Sequence, residues 1–277
     1  MIQLGNLPST QSSLVDGQGR ATPVLQLFFA AIQRAFALAS TGSTTQGDIW
    51  RNRRVKVLEV NAGGAQQALG MTTVAGGTFP APSSASYYAA QARNRIPCAA
   101  GANSQTIFQF FTQPWLWFGN AAGLGGYRYE MEFGVDTTVA TTRIACGLFN
   151  AAPVITVTEP SSKTDCIFLG ADSTDVNLQI MCNDSAGACS KIDLGASFPV
   201  AANACYRLEL VVAPNGASVA YTVTRLDVAA TATGTLSADL PANTTFLGPI
   251  LGIGNAGTAA AAALGLFRIL TEEPSAS

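Results

Sequence analysis

Residues 115–136 read WLWFGNAAGLGGYRYEMEFGVD, and the second half of this stretch decides the fold class. Tyr127, Tyr129, Met131 and Phe133 fall on one side of an extended chain, and Arg128, Glu130 and Glu132 on the other. That is the alternation of a strand with one buried and one solvated face. The spacing brings Glu130 and Glu132 close together, and a retaining glycosidase needs two carboxyls roughly 5 Å apart. Such pairs are ordinarily drawn from different strands across a cleft, so the two glutamates read as exposed neighbours on an outer face and not as acid and nucleophile. The first half, GNAAGLGG, precedes a strand and opens no helix, so it lacks the helix N-terminus that would face a phosphate. It reads as a tight corner in which glycines supply positive φ.

Outward from there the same texture runs from about residue 106 onward. TIFQFF, RIACGLF, DCIFLGA, VNLQIMC, YRLELVV, SVAYTVTRL, FLGPILGIG and LGLFRILT are short runs, β-branched or aromatic, separated by Gly, Asn, Asp and Pro. No strand–helix alternation accompanies them, which argues against a parallel α/β sheet. The spacing predicts a mainly β protein, a jelly-roll or lectin-like β-sandwich over residues 106–277.

Residues 1–40 predict an extended arm followed by one helix. Pro8 and a Ser/Thr/Gln run lead into VDGQGR, a glycine-containing turn. Thr22 suits an N-cap and Pro23 the first helical position. Leu25, Phe28, Phe29, Ile32, Phe36 and Ala39 then recur at helical spacing to about Ser40. The face formed by Leu25, Phe28, Ile32 and Phe36 fits a short heptad seam between copies of the chain, or equally a helix docked on its own sandwich. Residues 41–105 read as a loop-rich transition with short strands. Arg51, Arg53, Arg54 and Lys56 precede and enter the alternating run VKVLEV, a small cluster that fits a solvated edge or an intersubunit ion-pair site.

Of the 277 residues, 48% are hydrophobic and only 12% charged, about half the charge of an ordinary soluble domain. A surface so neutral predicts contact with other chains. The net charge of −2, with no basic stripe, argues against a nucleic-acid partner. The apolar run VLQLFFAAI is too short to span a bilayer, and the N-terminus shows no secretory signal, so cytoplasmic synthesis without membrane insertion is expected. The chain has no histidine, which removes Ser-His-Asp and Cys-His catalysis and histidine metal ligands together. The expectation is a protein that is not an enzyme, with no catalytic residue, cofactor or dedicated metal site. Asp172 and Asp175 in ADSTDVN, with Asp165 and Asp184 elsewhere, fall short of an EF-hand and leave at most a lone surface calcium.

The six cysteines form no CxxC pair, and most lie inside strand-like runs as small buried hydrophobes. Cys182 and Cys189 stand apart, because CNDSAGAC reads as two strand ends around a turn and suggests a cross-hairpin disulfide. The aromatic residues Phe108, Phe110, Phe111, Trp115, Trp117 and Phe118 are dense. They read as core or subunit interface, with a glycan-stacking platform as the alternative. Trp115 and Trp117 are expected on one strand face.

The opening LPSTQSSLVDGQGRATPVLQLFFAAIQRAF resembles the N-terminal attachment segment of tail-fibre and baseplate-associated proteins of tailed bacteriophages. The stretches WFGNAAGLGGYRYEMEFGV, TDCIFLGADSTDVNLQIM, KIDLGASFP and YTVTRLDVAATATGTL are similar to a C-terminal domain recurring in such proteins. The resemblance covers most of residues 1–40 and 115–270 and brings no catalytic residues with it. It implies a β-sandwich virion protein, commonly trimeric, made in the host cytoplasm and carried on the tail. The arm would join other tail proteins, and the sandwich would meet a host cell-surface glycan or protein. A head fibre or capsid decoration, and a carbohydrate-degrading tailspike, are the alternatives.

Overall fold

The structure is a computed structural model that describes residues 78–110 and 113–274 and, as backbone, 55–61. The predicted arm and helix, the seam residues Leu25, Phe28, Ile32 and Phe36, the arginines at 51, 53 and 54, and Phe111 lie outside the described residues. Lys56–Ser277 belongs to one compact unit. In chain order the strands are β1 (Val55–Asn61), β2 (Asn94–Pro97), β3 (Gln105–Gln109), β4 (Tyr127–Thr137), β5 (Arg143–Phe149), β6 (Cys166–Ala171) and β7 (Gln179–Asn183). They continue with β8 (Ser190–Asp193), β9 (Cys205–Val212), β10 (Val219–Arg225), β11 (Ala230–Leu236), β12 (Gly248–Gly254) and β13 (Ala263–Pro274). Among the described residues a short α-helix, α1 (Tyr87–Ala90), precedes β2.

Two sheets result. One is seven-stranded, in the order β1-β13-β4-β9-β10-β11 with β2 also on β13; the other is six-stranded, in the order β3-β12-β5-β6-β7-β8. This is the sandwich the sequence predicts, although β1 and β2 come from the stretch read as transitional, so the sheets begin before residue 106. Alternate residues of both sheets meet between them. Tyr129, Met131, Phe133, Leu208, Leu210 and Val223 come from one sheet, and Ile144, Leu148, Ile167, Leu169, Ile180 and Leu251 from the other.

The six-stranded sheet is apolar on its outer face as well. Ala145, Phe149, Cys166, Phe168, Met181 and Ile250 form a second buried cluster there. Ile155 belongs to it, delivered by the loop between β5 and β6. Arg143 at the start of β5 ties that loop down. Its Nη1 donates to the carbonyls of Ile155 (3.1 Å) and Thr156 (2.6 Å), and Nε and Nη2 grip Glu159 at 3.0 and 2.7 Å.

On the outer face of the seven-stranded sheet, Gly134 of β4 lies opposite Gly265 of β13. A Cβ at either position would collide with the ring of Tyr88 from α1. The missing side chains make a shallow seat, and Tyr88 fills it against Phe267, with the Arg93 guanidinium 4.7 Å from its ring centroid.

Candidate functional site

The loop from Gln113 to Gly126 carries Trp115, Trp117 and Phe118 at one edge of the sandwich. A single bridge pairs Leu116 with Leu247, just before β12, and fixes which way each neighbour points. Leu116 N–H donates to the Leu247 carbonyl at 2.9 Å, and Leu247 N–H to the Leu116 carbonyl at 2.7 Å. Leu116 and Phe118 enter the main core. Trp117 turns the other way and stacks on Phe246, with ring centroids 5.2 Å apart and planes 19° from parallel. Phe246 is 43% exposed and Trp117 half-buried. Trp115, also half-buried, packs against the main core. Phe108 and Phe110 are core residues.

The glycine corner fixes this edge. Gly119, Gly123, Gly125 and Gly126 all adopt positive φ, as the sequence suggests. Gly119 and Gly125 interlock: a Cβ on the first would strike the Leu124 carbonyl, and one on the second the Phe118 backbone. Asn215 N–H donates to both the Phe118 and the Leu124 carbonyls at 2.8 Å, closing the corner onto the β9–β10 turn. From the other side Asn150 Nδ2 donates to the Phe246 carbonyl at 2.9 Å. The aromatic pair is therefore held by backbone constraints on both of its members.

Glu130 and Glu132 do sit on the outer face of β4, but not as exposed neighbours. Glu130 is 5% exposed. It accepts from Arg128 Nη2 (3.0 Å) and from Arg268 Nη1, and Arg207 Nε lies 3.5 Å away. Glu132 is gripped by Arg207 at 2.9 and 2.6 Å. Arg128 also bonds Glu209 (2.7 Å) and Glu272 (3.3 Å). Register explains the assembly. Glu132 lies between Arg207 of β9 and Arg268 of β13, and Glu130 lies opposite Glu209, a like-charge pair that the Arg128 guanidinium bridges. Carboxylates so fully engaged by guanidinium groups are poorly placed to exchange protons with a substrate.

The acidic turn after β6 carries its own cation. Lys191 Nζ lies 2.8 Å from both Asp172 Oδ2 and Asp175 Oδ2. Asp172 Oδ1 accepts the Ser161 N–H (2.9 Å), and Asp175 Oδ2 the Asp172 N–H (2.9 Å). An ammonium stands where a surface calcium was the open option. Among the described residues no group of three or more Cys, Asp or Glu is arranged to hold a metal. Burial alone would raise the Glu159 carboxyl, but hydrogen bonds from Arg143 and Ser173 outweigh it and hold the group at about 2.

All six cysteines are free thiols. Cys182 pairs in register with Ser190 and lies in the main core. Cys189, one position earlier, falls on the opposite face and packs on the outer cluster. Cys182 and Cys189 thus point to opposite sides of one sheet, which corrects the predicted pairing; alternation along a strand makes a one-residue offset decisive. The sulfur facing Cys189 is that of Cys166, 3.9 Å away.

No protein-family model and no curated protein matches this sequence. Solved structures do share its architecture. A protein of unknown function from Shewanella oneidensis MR-1 aligns with TM-score 0.54 at 10% identity, over 80% of this chain and 87% of the other. Peanut lectin aligns with TM-score 0.53 at 10% identity, over 80% and 99%. The fold is a lectin-like β-sandwich. Arcelin-5, a lectin-like defence protein of Phaseolus vulgaris, aligns with TM-score 0.50 at 6% identity, over 80% and 99%. At these identities the likeness concerns the fold alone.

Proposed function

We propose that this chain is a bacteriophage virion protein, a tail-fibre or baseplate component, whose sandwich attaches to a host-surface glycan through the Trp117–Phe246 edge. The observation that carries this reading is the stacked, half-exposed aromatic pair, held rigid by the glycine corner on a lectin-like scaffold. Aromatic faces are electron-rich, and the C–H groups on one face of a pyranose complement them. A platform locked before binding loses little conformational entropy when the sugar arrives. The ion-paired state of Glu130 and Glu132 favours binding over hydrolysis, so the tailspike alternative draws no support from that strand. Copies joined through Leu25, Phe28, Ile32 and Phe36 as a homotrimer would turn weak single-site contacts into avid attachment.

The test is binding of the full chain to purified host-surface polysaccharides. The Trp117→Ala variant is expected to lose about tenfold in affinity, the worth of a stacking contact of roughly 1.4 kcal/mol, with no reducing ends released by either protein. Unchanged affinity in Trp117→Ala and Phe246→Ala would remove the platform from the reading. Immunogold labelling of intact particles would place the chain on the tail; label on the head would favour the decoration alternative.

A further inference from the structure

Five of the six cysteines are fully buried, and Cys189 is the partly exposed one. It lies at the entry to β8, where its N–H donates to the Ser161 carbonyl at 2.7 Å. Its sulfur lies 3.9 Å from that of Cys166, and both thiols also approach the Lys163 carbonyl, at 3.4 and 3.6 Å. The two cysteines are 23 positions apart, on the first residue of β6 and the approach to β8. Between them in the sheet, β7 supplies Asn183, whose Nδ2 donates to the same Lys163 carbonyl at 2.6 Å, while its Cys182 faces the other way, toward the Ala238 carbonyl. The thiol of one partly exposed residue thus stands against one buried thiol, beside the end of the loop that brings Ile155 to the outer apolar cluster.

We propose that Cys166 and Cys189 form a thiol–disulfide site that takes a low-molecular-weight disulfide of the glutathione class as oxidant and staples β6 to the approach of β8. In the first step the Cys189 thiol gives up its proton and attacks one sulfur of glutathione disulfide. A Cys189–glutathione mixed disulfide forms, and one glutathione thiolate leaves and takes up a proton. In the second step the Cys166 sulfur, deprotonated, attacks the Cys189 sulfur and expels the second glutathione. The protein loses two electrons and two protons, and one glutathione disulfide becomes two glutathione thiols. The hydrogen bond with Cys189, and then burial, hold the Cys166 thiol protonated far above the usual thiol range. Ring closure needs the Cys166 thiolate, so it quickens as pH rises. The site does not depend on the glycan reading.

The experiment exposes the folded full chain to glutathione disulfide at about pH 8, near the ordinary thiol pKa, then quenches with acid and blocks free thiols. Cleavage before aspartate separates the three relevant cysteines, because Asp165, Asp175 and Asp184 each precede one of them. Mass spectrometry should find the Cys166 peptide joined to the Cys189 peptide, two hydrogens lighter than their sum. Cys182→Ser should keep the link, and Cys189→Ser should lose it. Oxidised wild type should melt roughly 5–10 °C above its reduced form, as expected for a cross-link of this loop size in a chain of this length, and oxidant should leave Cys189→Ser unshifted. Cys189 ending only as the glutathione adduct, a link to Cys182, or no melting shift in linked protein would each overturn the proposal. Cys189→Ser alters a partly exposed position, so the comparison does not rest on a substitution deep in the core.

Discussion

The two sheets solve the same problem in opposite ways. Each needs an outer face, and that of the six-stranded sheet is a second hydrophobic layer, with Phe149, Phe168, Met181 and Ile250 beneath Ile155 of the loop that Arg143 anchors. The outer face of the seven-stranded sheet, beside the seat that Tyr88 fills, carries a charge lattice in which Arg128, Arg207 and Arg268 alternate with Glu130, Glu132, Glu209 and Glu272 across three strands. The apolar layer gains by leaving water, roughly 25 cal/mol per Å² buried. The lattice gains little on formation but is costly to break, because removing one member leaves its partners with fewer opposite charges to face.

That difference is open to direct attack. Phe168→Ala should have the largest effect, about 3–5 kcal/mol of stability by urea denaturation, since it empties volume at a fully buried site. A loss below about 1 kcal/mol would mean that the outer layer is not a true second core. Glu130→Gln should cost less, about 1–3 kcal/mol, because it takes a charged acceptor from Arg268 and Arg128 while Arg128 keeps Glu209 and Glu272 and parts of both guanidinium groups still reach water. Its cost should shrink in high salt, whereas that of Phe168→Ala should not; equal salt responses would erase the contrast between the sheets.

A smaller effect, legible in pH, belongs to Glu159. Its folded-state carboxyl sits near 2, below the ordinary glutamate value. Its stabilising contribution is therefore present above about pH 4.5 and lost as pH falls toward 2. In Glu159→Gln that slope should flatten, while the rest of the acid titration persists. A stability curve of unchanged slope between those values would show that the Arg143 clamp does not depend on the Glu159 charge. Trp117→Ala should change stability least, by about 1 kcal/mol or less, because Trp117 lies outside both apolar clusters that line the sheets. A much larger loss would make the aromatic edge structural.

Much of the fold was legible in the residues. The alternation in YRYEMEF, the run of short β-rich segments and the glycine corner each act locally, through side-chain parity and backbone sterics, and each appears in the structure as read. The site was less legible. Trp117 could be singled out, but its partner Phe246 looked like the first residue of a strand and is instead an exposed ring before β12. The bridge between Leu116 and Leu247 that joins them spans more than a hundred residues of chain, and no local pattern announces it.

Local chemistry by itself determined that the chain makes strands, which residues of β4 face inward, and that histidine chemistry is absent. Tertiary structure alone decided which charges and thiols meet. In LGLFRIL, strict alternation from Leu264 and Leu266 would drive Arg268 into the core. A register shift between Leu266 and Arg268 places Phe267 and Arg268 successively on the outer side, Phe267 against Tyr88 and Arg268 against Glu130. Likewise a one-residue offset across β7 and β8 sends Cys189 to Cys166 and away from Cys182. Both outcomes depend on register between strands distant in sequence, and register is fixed only when whole faces are buried together.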